Sequence, residues 1–378
     1  MGLNGCLQFI RNKYPHLLTQ EHISYYAHQR IIVDIASYIY KYACIYGLDS
    51  IKWIEAYINL LLQFKNNHVH PIIVFDGKPP AEKSGEIDER REKKKQTLDK
   101  IKTLEEALLH YNEGNPSQEE IDLLQFYLQK IEVKGTVFRR FLEDNSNNNL
   151  TMVQINGIQS YLDKLKQSVV IITPEHFQMM KYILECLGIS YLQAPEEAES
   201  YCCYLNKCGF GTAVVSYDTD CIAHGATNII FSMDANTGIM NHLNLEELKT
   251  ETNLNNNQLI DFGILIGCDY NRRNKINGIG PVNAVKLLNE YQCIENIPNI
   301  TFDIDEINKI RKLFSPVYDD TVIIEKIFFN KDKCLELCNK YNISSNFIKH
   351  LEENQQFSKS FSYIDNDNID NNDNIDNE

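Results

Sequence analysis

Three short apolar runs in this chain each end in an aspartate: RIIVD at residues 30–34, PIIVFD at 71–76 and TAVVSYD at 212–218. A fourth run of the same kind, NIIFSM, occupies 228–233. Between the first two lies WIEAYINLLLQF, residues 53–64, whose apolar positions recur at helical spacing. Strands alternating with helices predict an α/β fold: a mostly parallel central sheet with helices on both faces. In such a sheet ligands bind beyond the carboxyl ends of the strands, which is where Asp34, Asp76 and Asp218 fall.

The stretch 191–224 adds acids of the same character. Glu197 and Glu199 lie two apart at an expected helix start, with Pro195 in its first turn, and Asp218 and Asp220 lie two apart past a β-branched run. Lys207 is the only Lys or Arg in that stretch. Carboxylates gathered without counter-charge are costly unless a cation joins them, and oxygen ligands favour magnesium. Residues two apart on a helix face different ways, so the two glutamates share a site only where the helix begins at or near them. Asp269 follows a buried helical pattern at 257–267 and completes a set of seven acids at element ends. Two divalent ions ~4 Å apart on such carboxylates would activate a water and stabilise the leaving oxygen of a phosphodiester.

The net charge of −15 counts against a uniformly basic nucleic-acid binder, so basic patches have to be local. Two are visible. Lys83 to Lys102 holds eight bases against five acids on a helical pattern behind Asp76, and Asn271 to Lys286 holds four bases and no acid. The second spans KINGIGPVNAVKLL, a helix–hairpin–helix pattern in which Gly278 and Gly280 let backbone N–H groups approach a phosphate. No run is long enough to span a membrane, and no signal-peptide core opens the chain. The eleven cysteines form no zinc or disulfide framework and read as reduced thiols of an intracellular protein.

The expected organisation is an N-terminal nuclease region at 1–105 and a helical insertion at 106–168. An internal nuclease region with the hairpin follows at 169–350, with an acidic disordered tail at 351–378. Within the insertion, Ser117 and Glu120 form a capping-box pattern. Arg139-Arg140 and the polar loop at 144–150 follow it.

The residues so far read as a magnesium-dependent nuclease. Seven segments in order then resemble the structure-specific 5′-nuclease family that includes flap endonuclease, the XPG repair nuclease and the 5′–3′ exonuclease of mismatch repair. They are MGLNGCLQFI, VDIASYIY, VFDGKPPAEKSGEIDER, APEEAES, YDTDCIAHG, ILIGCDYN and INGIGPVNAVKLL. The resemblance implies a PIN-like core with a helical gateway or arch. It assigns Asp34, Asp76, Glu197 and Glu199 to one group of metal-binding carboxylates and Asp218, Asp220 and Asp269 to the other. Two Mg2+ ions per site are implied, Mn2+ as a substitute, and K+ at the hairpin. Lys83 and Arg90 match the basic pair that approaches the scissile phosphate, Tyr40 an aromatic residue that stacks on a base, and Gly2 a glycine near the active site. The implied partner is DNA bearing 5′ flaps, nicks or junctions, acted on by a monomer. The compartment would be the nucleus or, for a viral protein, a cytoplasmic replication site. The chain departs from the family in its longer gateway region and acidic tail, and it has no good sliding-clamp peptide: QQFSKSF at 355–361 has the residue types without their spacing. A processive exonuclease and a non-catalytic junction-binding protein are the competing readings.

Overall fold

The computed structural model describes residues 2–48, 50–134, 150–271, 278–298, 303–318 and 322–360. Strand β1 (Thr19–His22) is followed by β2 (Arg30–Asp34), β3 (His70–Phe75), β4 (Tyr191–Gln193), β5 (Ala213–Val215), β6 (Asn228–Met233) and β7 (Ile239–Asn244). They form one sheet in the order β1-β7-β6-β5-β2-β3-β4. The five strands from β6 to β4 are parallel, while β7 runs antiparallel to both β6 and β1. The four apolar runs are β2, β3, β5 and β6, and alternation along the first three decides what they cover. Ile32, Ile72, Val74 and Val214 face one core. Ile31, Val33, Ile73 and Val215 face the other. Helices therefore pack on both sheet faces, as residues of period two require.

Chain order reverses between β2 and β5, since β3 and β4 extend the sheet one way and β6 and β7 the other. This switch point leaves a crevice above the strand ends. Helix Cys6–Lys13 covers one side of the sheet with helices Ala198–Lys207 and Asn256–Ile266. Helices Ile51–Asn66, Pro174–Leu187 and Lys331–Tyr341 cover the other. Thr173 closes a capping box with His176 at the start of helix Pro174–Leu187.

A third, separate core lies in the insertion. Helix Ser84–Asn112 packs with Gln118–Lys134 and Met152–Ser168 around Leu104, Leu108, Leu124, Ile158 and Leu162. Ser117 and Glu120 make the expected reciprocal cap: Ser117 N donates to Glu120 Oε2 (2.7 Å) and Glu120 N to Ser117 Oγ (3.3 Å). The 29-residue helix Ser84–Asn112 runs straight through the expected boundary at 105/106. The expected tail boundary at 351 likewise falls inside a helix. Helix Asn346–Ser360 continues past it, and Leu351 is buried in the second core. Arg139, Arg140, Arg272, Arg273, Lys275 and residues 361–378 lie outside the described residues.

Candidate active site at the strand ends

The acids collect where the switch point predicts. Asp34 closes β2, 5% exposed; its Oδ1 accepts from Ala36 N (3.2 Å) and its Oδ2 from Ser216 Oγ (2.9 Å). Burial and the Asp76 charge push its carboxyl up to about 7 despite those bonds. Asp76 follows β3, and its Oδ1 accepts from Ala198 N at 2.9 Å. It thereby caps helix Ala198–Lys207, whose N-cap residue is Glu197. The helix starts where the glutamate pair needs it to start, and both Glu197 and Glu199 are buried. Pro195 does not lie in the first turn; it sits in the loop between β4 and the helix.

Asp218 and Asp220 meet through backbone. Asp220 N donates to Asp218 Oδ1 (3.1 Å), and Asp218 N donates to Ser216 Oγ (3.1 Å). Asp220 is 0% exposed, and neither of its carboxylate oxygens has a hydrogen-bond partner among the described residues. Burial, then Asp218 and Asp269, hold its carboxyl well above the usual range. Burial and Asp218 do the same to Glu199. Gly2 lies against this pair with φ +83°; a Cβ there would collide with Asp218 Oδ1 and lie 2.8 Å from Asp220 N.

The gateway helix supplies the cations. Lys83, 7% exposed, donates to Glu197 Oε1 and lies 3.5 Å from Glu199 Oε1 and 3.6 Å from Asp269 Oδ2. Burial alone would lower its pKa, but Glu199 and Glu197 outweigh it and hold the ammonium above its ordinary value. Arg90 pairs with Glu86 one turn back and reaches Asp269 Oδ2 at 3.8 Å. Tyr40, 48% exposed on helix Ala36–Tyr46, lies within the fields of Asp76 and Arg90.

All seven acids, Lys83, Arg90 and Gly2 therefore share one locality, with Tyr40 at its edge. Gly278 and Gly280 do not. They open helix Pro281–Tyr291 beside the N-terminal loop, where a Cβ built on Gly5 would lie 3.8 Å from Pro281, and a Cβ at either would meet nothing within 4 Å among the described residues. Sequence reasoning missed three groups. Tyr270 donates its hydroxyl to Glu197 Oε2 (2.7 Å), Ser216 bridges Asp34 and Asp218, and Glu86 is a buried acid facing Arg90. Glu86 was findable, since 83, 86 and 90 recur on one helix face.

The donor set is carboxylate oxygen throughout, which suits a hard divalent cation and no soft one. The bare Asp220 oxygens fit the same group. Among the described residues no three of these groups already converge on one point as a coordination shell does, and Lys83 lies between Glu197, Glu199 and Asp269.

Two family models match the chain: the XPG N-terminal domain over residues 1–97 and the XPG I-region over 188–269. Asp34 and Asp76 fall in the first and the other five acids in the second, with the inserted helices between. The chain is 24% identical over 317 residues to a probable RAD2-like endonuclease of invertebrate iridescent virus 6, covering 79% of this chain and 73% of that one. It is 27% identical over 310 residues to flap endonuclease 1 of Bos taurus, covering 79% and 68%. Among solved structures, the flap endonuclease-1 from Methanococcus jannaschii superposes with TM-score 0.57 at 18% identity, over 93% of this chain and 99% of that one. The catalytic core of Rad2 in complex with DNA substrate gives TM-score 0.56 at 15% identity, over 94% and 99%. These two show a common fold. With both conserved regions of the family present and in order, the chain belongs to the XPG and flap endonuclease family of structure-specific 5′ nucleases and is a DNA nuclease, a hydrolase.

Proposed function

We propose that the chain is a magnesium-dependent 5′ nuclease that cuts DNA at single-strand/duplex junctions, releasing 5′ flaps and acting as a 5′–3′ exonuclease on nicks. The observation that carries this reading is Asp220, a fully buried carboxylate with neither oxygen hydrogen-bonded among the described residues, packed beside Asp218 and Glu199. Such a group either keeps a proton or holds a cation against it, and the six other acids of the cluster favour the cation. Divalent magnesium, or manganese in its place, held by Asp34, Asp76, Glu197, Glu199, Asp218, Asp220 and Asp269 would supply water activation and charge relief at the leaving oxygen.

The chain's own residues do the rest. Lys83, the N-cap of the gateway helix Ser84–Asn112, and Arg90, within that helix, carry positive charge to the scissile phosphate. Tyr40, half exposed at the edge of the crevice, offers a face for the base beside the cut. Tyr270 orients Glu197 by donating to one oxygen while Lys83 takes the other. The N-terminus of helix Pro281–Tyr291, opened by Gly278 and Gly280, accepts a duplex phosphate, with potassium as a companion ion.

The test is a cleavage assay on 5′-labelled double-flap, nicked, 5′-recessed and single-stranded DNA, with magnesium or EDTA. A discrete flap fragment that disappears in EDTA and in Asp218→Asn establishes the reading. The variant should still bind junction DNA, or bind it more tightly, having lost a negative charge near phosphates. Mononucleotide release alone would make the protein a processive exonuclease. Binding without any cut would leave a junction-binding protein, and full activity of Asp218→Asn would refute the metal assignment.

A further inference from the structure

The sheet carries a second cluster of ionisable groups at the opposite end from the acids. β2 runs from Arg30 to Asp34 and β3 from His70 to Phe75, parallel to each other, with Arg30 and His70 paired in register. Two residues before each strand stands another histidine, His28 before β2 and His68 before β3. Their rings lie nearly parallel, at 10°, with centroids 5.4 Å apart, and His28 N donates to His68 O at 2.7 Å. Both have left-handed backbone, φ 63° and 56°, a conformation uncommon outside glycine that occurs here twice in one place. Lys65, in the last turn of helix Ile51–Asn66, completes the group.

These five side chains carry no counter-charge. None of them pairs with an acid among the described residues, and only Lys65 makes a side-chain hydrogen bond, to Gly188 O at 3.4 Å. Partial desolvation, then Lys65, His28, Arg30 and His68, lowers the His70 pKa, so the fields that act most on that ring are all positive. In a chain of net charge −15 such a grouping runs against the average. His28, Arg30, His68 and His70 are exposed, and the group forms an open surface. Two cations beside the imidazoles, with no carboxylate, disfavour a metal ion. Anionic oxygen fits, because an imidazole offers an N–H whether neutral or charged and a guanidinium fork matches phosphate. Donors spread over two strand starts and a helix end suit a row of phosphates better than one compact anion. Arg30 and Asp34 are four residues apart on an extended strand, roughly 13 Å, so phosphates held here are not those that reach the acids.

We infer that the strand starts form a second nucleic-acid surface, at which His28, Arg30, Lys65, His68 and His70 hold the phosphodiester backbone of a stretch other than the one being cut. The inference goes beyond cleavage and rests only on the chain being a DNA nuclease. It makes the protein a bridge between two stretches of DNA, indifferent to their base sequence.

The test is sedimentation velocity in EDTA with two dyes. Protein saturated with a labelled double-flap junction receives a short blunt duplex carrying the second dye. The expected result is a ternary complex in which both dyes sediment with the protein. Duplex affinity in that complex should fall with salt and be about tenfold weaker in a triple variant, Arg30→Gln with His28→Asn and His68→Asn. Asparagine tolerates left-handed backbone, so both turns are kept, and junction cleavage by the variant in magnesium should be unchanged. Tripolyphosphate at equal phosphate concentration should leave the duplex in place; displacement would mark a site for a compact phosphate and overturn the proposal. A duplex that binds only by displacing the junction, or a ternary complex that survives the triple variant, would also overturn it. Failure to bind the junction, with the duplex still held and lost in the variant, would remove the cleavage reading and leave this surface standing.

Discussion

Gly77 is the residue at which a single methyl group would separate two halves of the carboxylate cluster. It follows Asp76 and runs against the loop that delivers Glu197, donating its N–H to Glu196 O at 2.6 Å. A Cβ built on it would collide with the Ala194 carbonyl oxygen and lie 2.7 and 2.8 Å from those of Pro195 and Glu196. All three obstacles are backbone, so no side chain can swing aside. In Gly77→Ala the loop must retreat by roughly 1 Å to reach ordinary contact, an overpacking strain of about 1–3 kcal/mol. The retreat also stretches Gly77 N to Glu196 O and Ala198 N to Asp76 Oδ1, each net worth about 1 kcal/mol. Stability should fall by about 3–5 kcal/mol where both bonds are lost, read from the urea midpoint at an unchanged slope. Because Asp76 would then part from Glu197 and Glu199, single-turnover cleavage of a 5′-labelled flap should drop ~100-fold, as misplacement by 1 Å can cause. Gly157→Ala is the control, since a Cβ at that helical position meets nothing within 4 Å. Parental stability and cleavage in Gly77→Ala would refute the reasoning, because the loop would have to be free to move without consequence.

Gly280→Val should fold normally, since its site is open among the described residues and its φ is −94°, yet weaken duplex binding about tenfold by blocking a phosphate from the helix N-terminus; unchanged affinity would make the turn purely structural. Arg311→Ala should lower stability by about 3 kcal/mol in urea, because Asp261, 3% exposed, loses both its bonds to the guanidinium (2.7 and 2.8 Å); a loss below about 0.5 kcal/mol would show that the pair adds nothing net. His224 is buried, its Nδ1 bonded to Phe314 O (3.2 Å), and burial lowers its pKa to about 3. The unfolded chain therefore binds the extra proton first, and stability falls as pH drops below about 6.5, by about 1.2 kcal/mol from this group between pH 7 and 5.5. His224→Gln should flatten that part of the urea-stability profile; an unaltered slope would place the acid sensitivity elsewhere.

What was legible in the sequence was whatever backbone burial dictates locally. RIIVD, PIIVFD, AVV and NIIFSM had to be strands because β-branched residues in short runs pack well on a pleated surface, and their terminal aspartates had to lie near the crevice because parallel strands end together. β1 and β7 were not legible. TQEH and IMNHLN carry polar residues at an edge of the sheet, so no apolar run announces them. Residues 322–330 cross the surface in irregular form, held where Ser190 Oγ donates to Glu325 O at 2.7 Å. That contact joins positions 135 residues apart, and no local pattern encodes it. The same holds for Tyr270 on Glu197 and Lys83 among three acids, which exist only once distant elements have packed.

The 29-residue gateway helix also has a mechanical meaning. At 1.5 Å per residue it is a rod of about 43 Å, with Lys83, Glu86 and Arg90 at one end and Ile101, Leu104 and Leu108 buried in a separate core toward the other. Between them Lys94 Nζ is tied to the carbonyl of Val170 at 3.3 Å. That tie divides the rod into a short arm over the acids and a long arm inside the bundle. The cations beside the acids and the third core are thus two ends of one continuous helix, so a displacement of the distal bundle would be carried along the rod to Lys83 and Arg90.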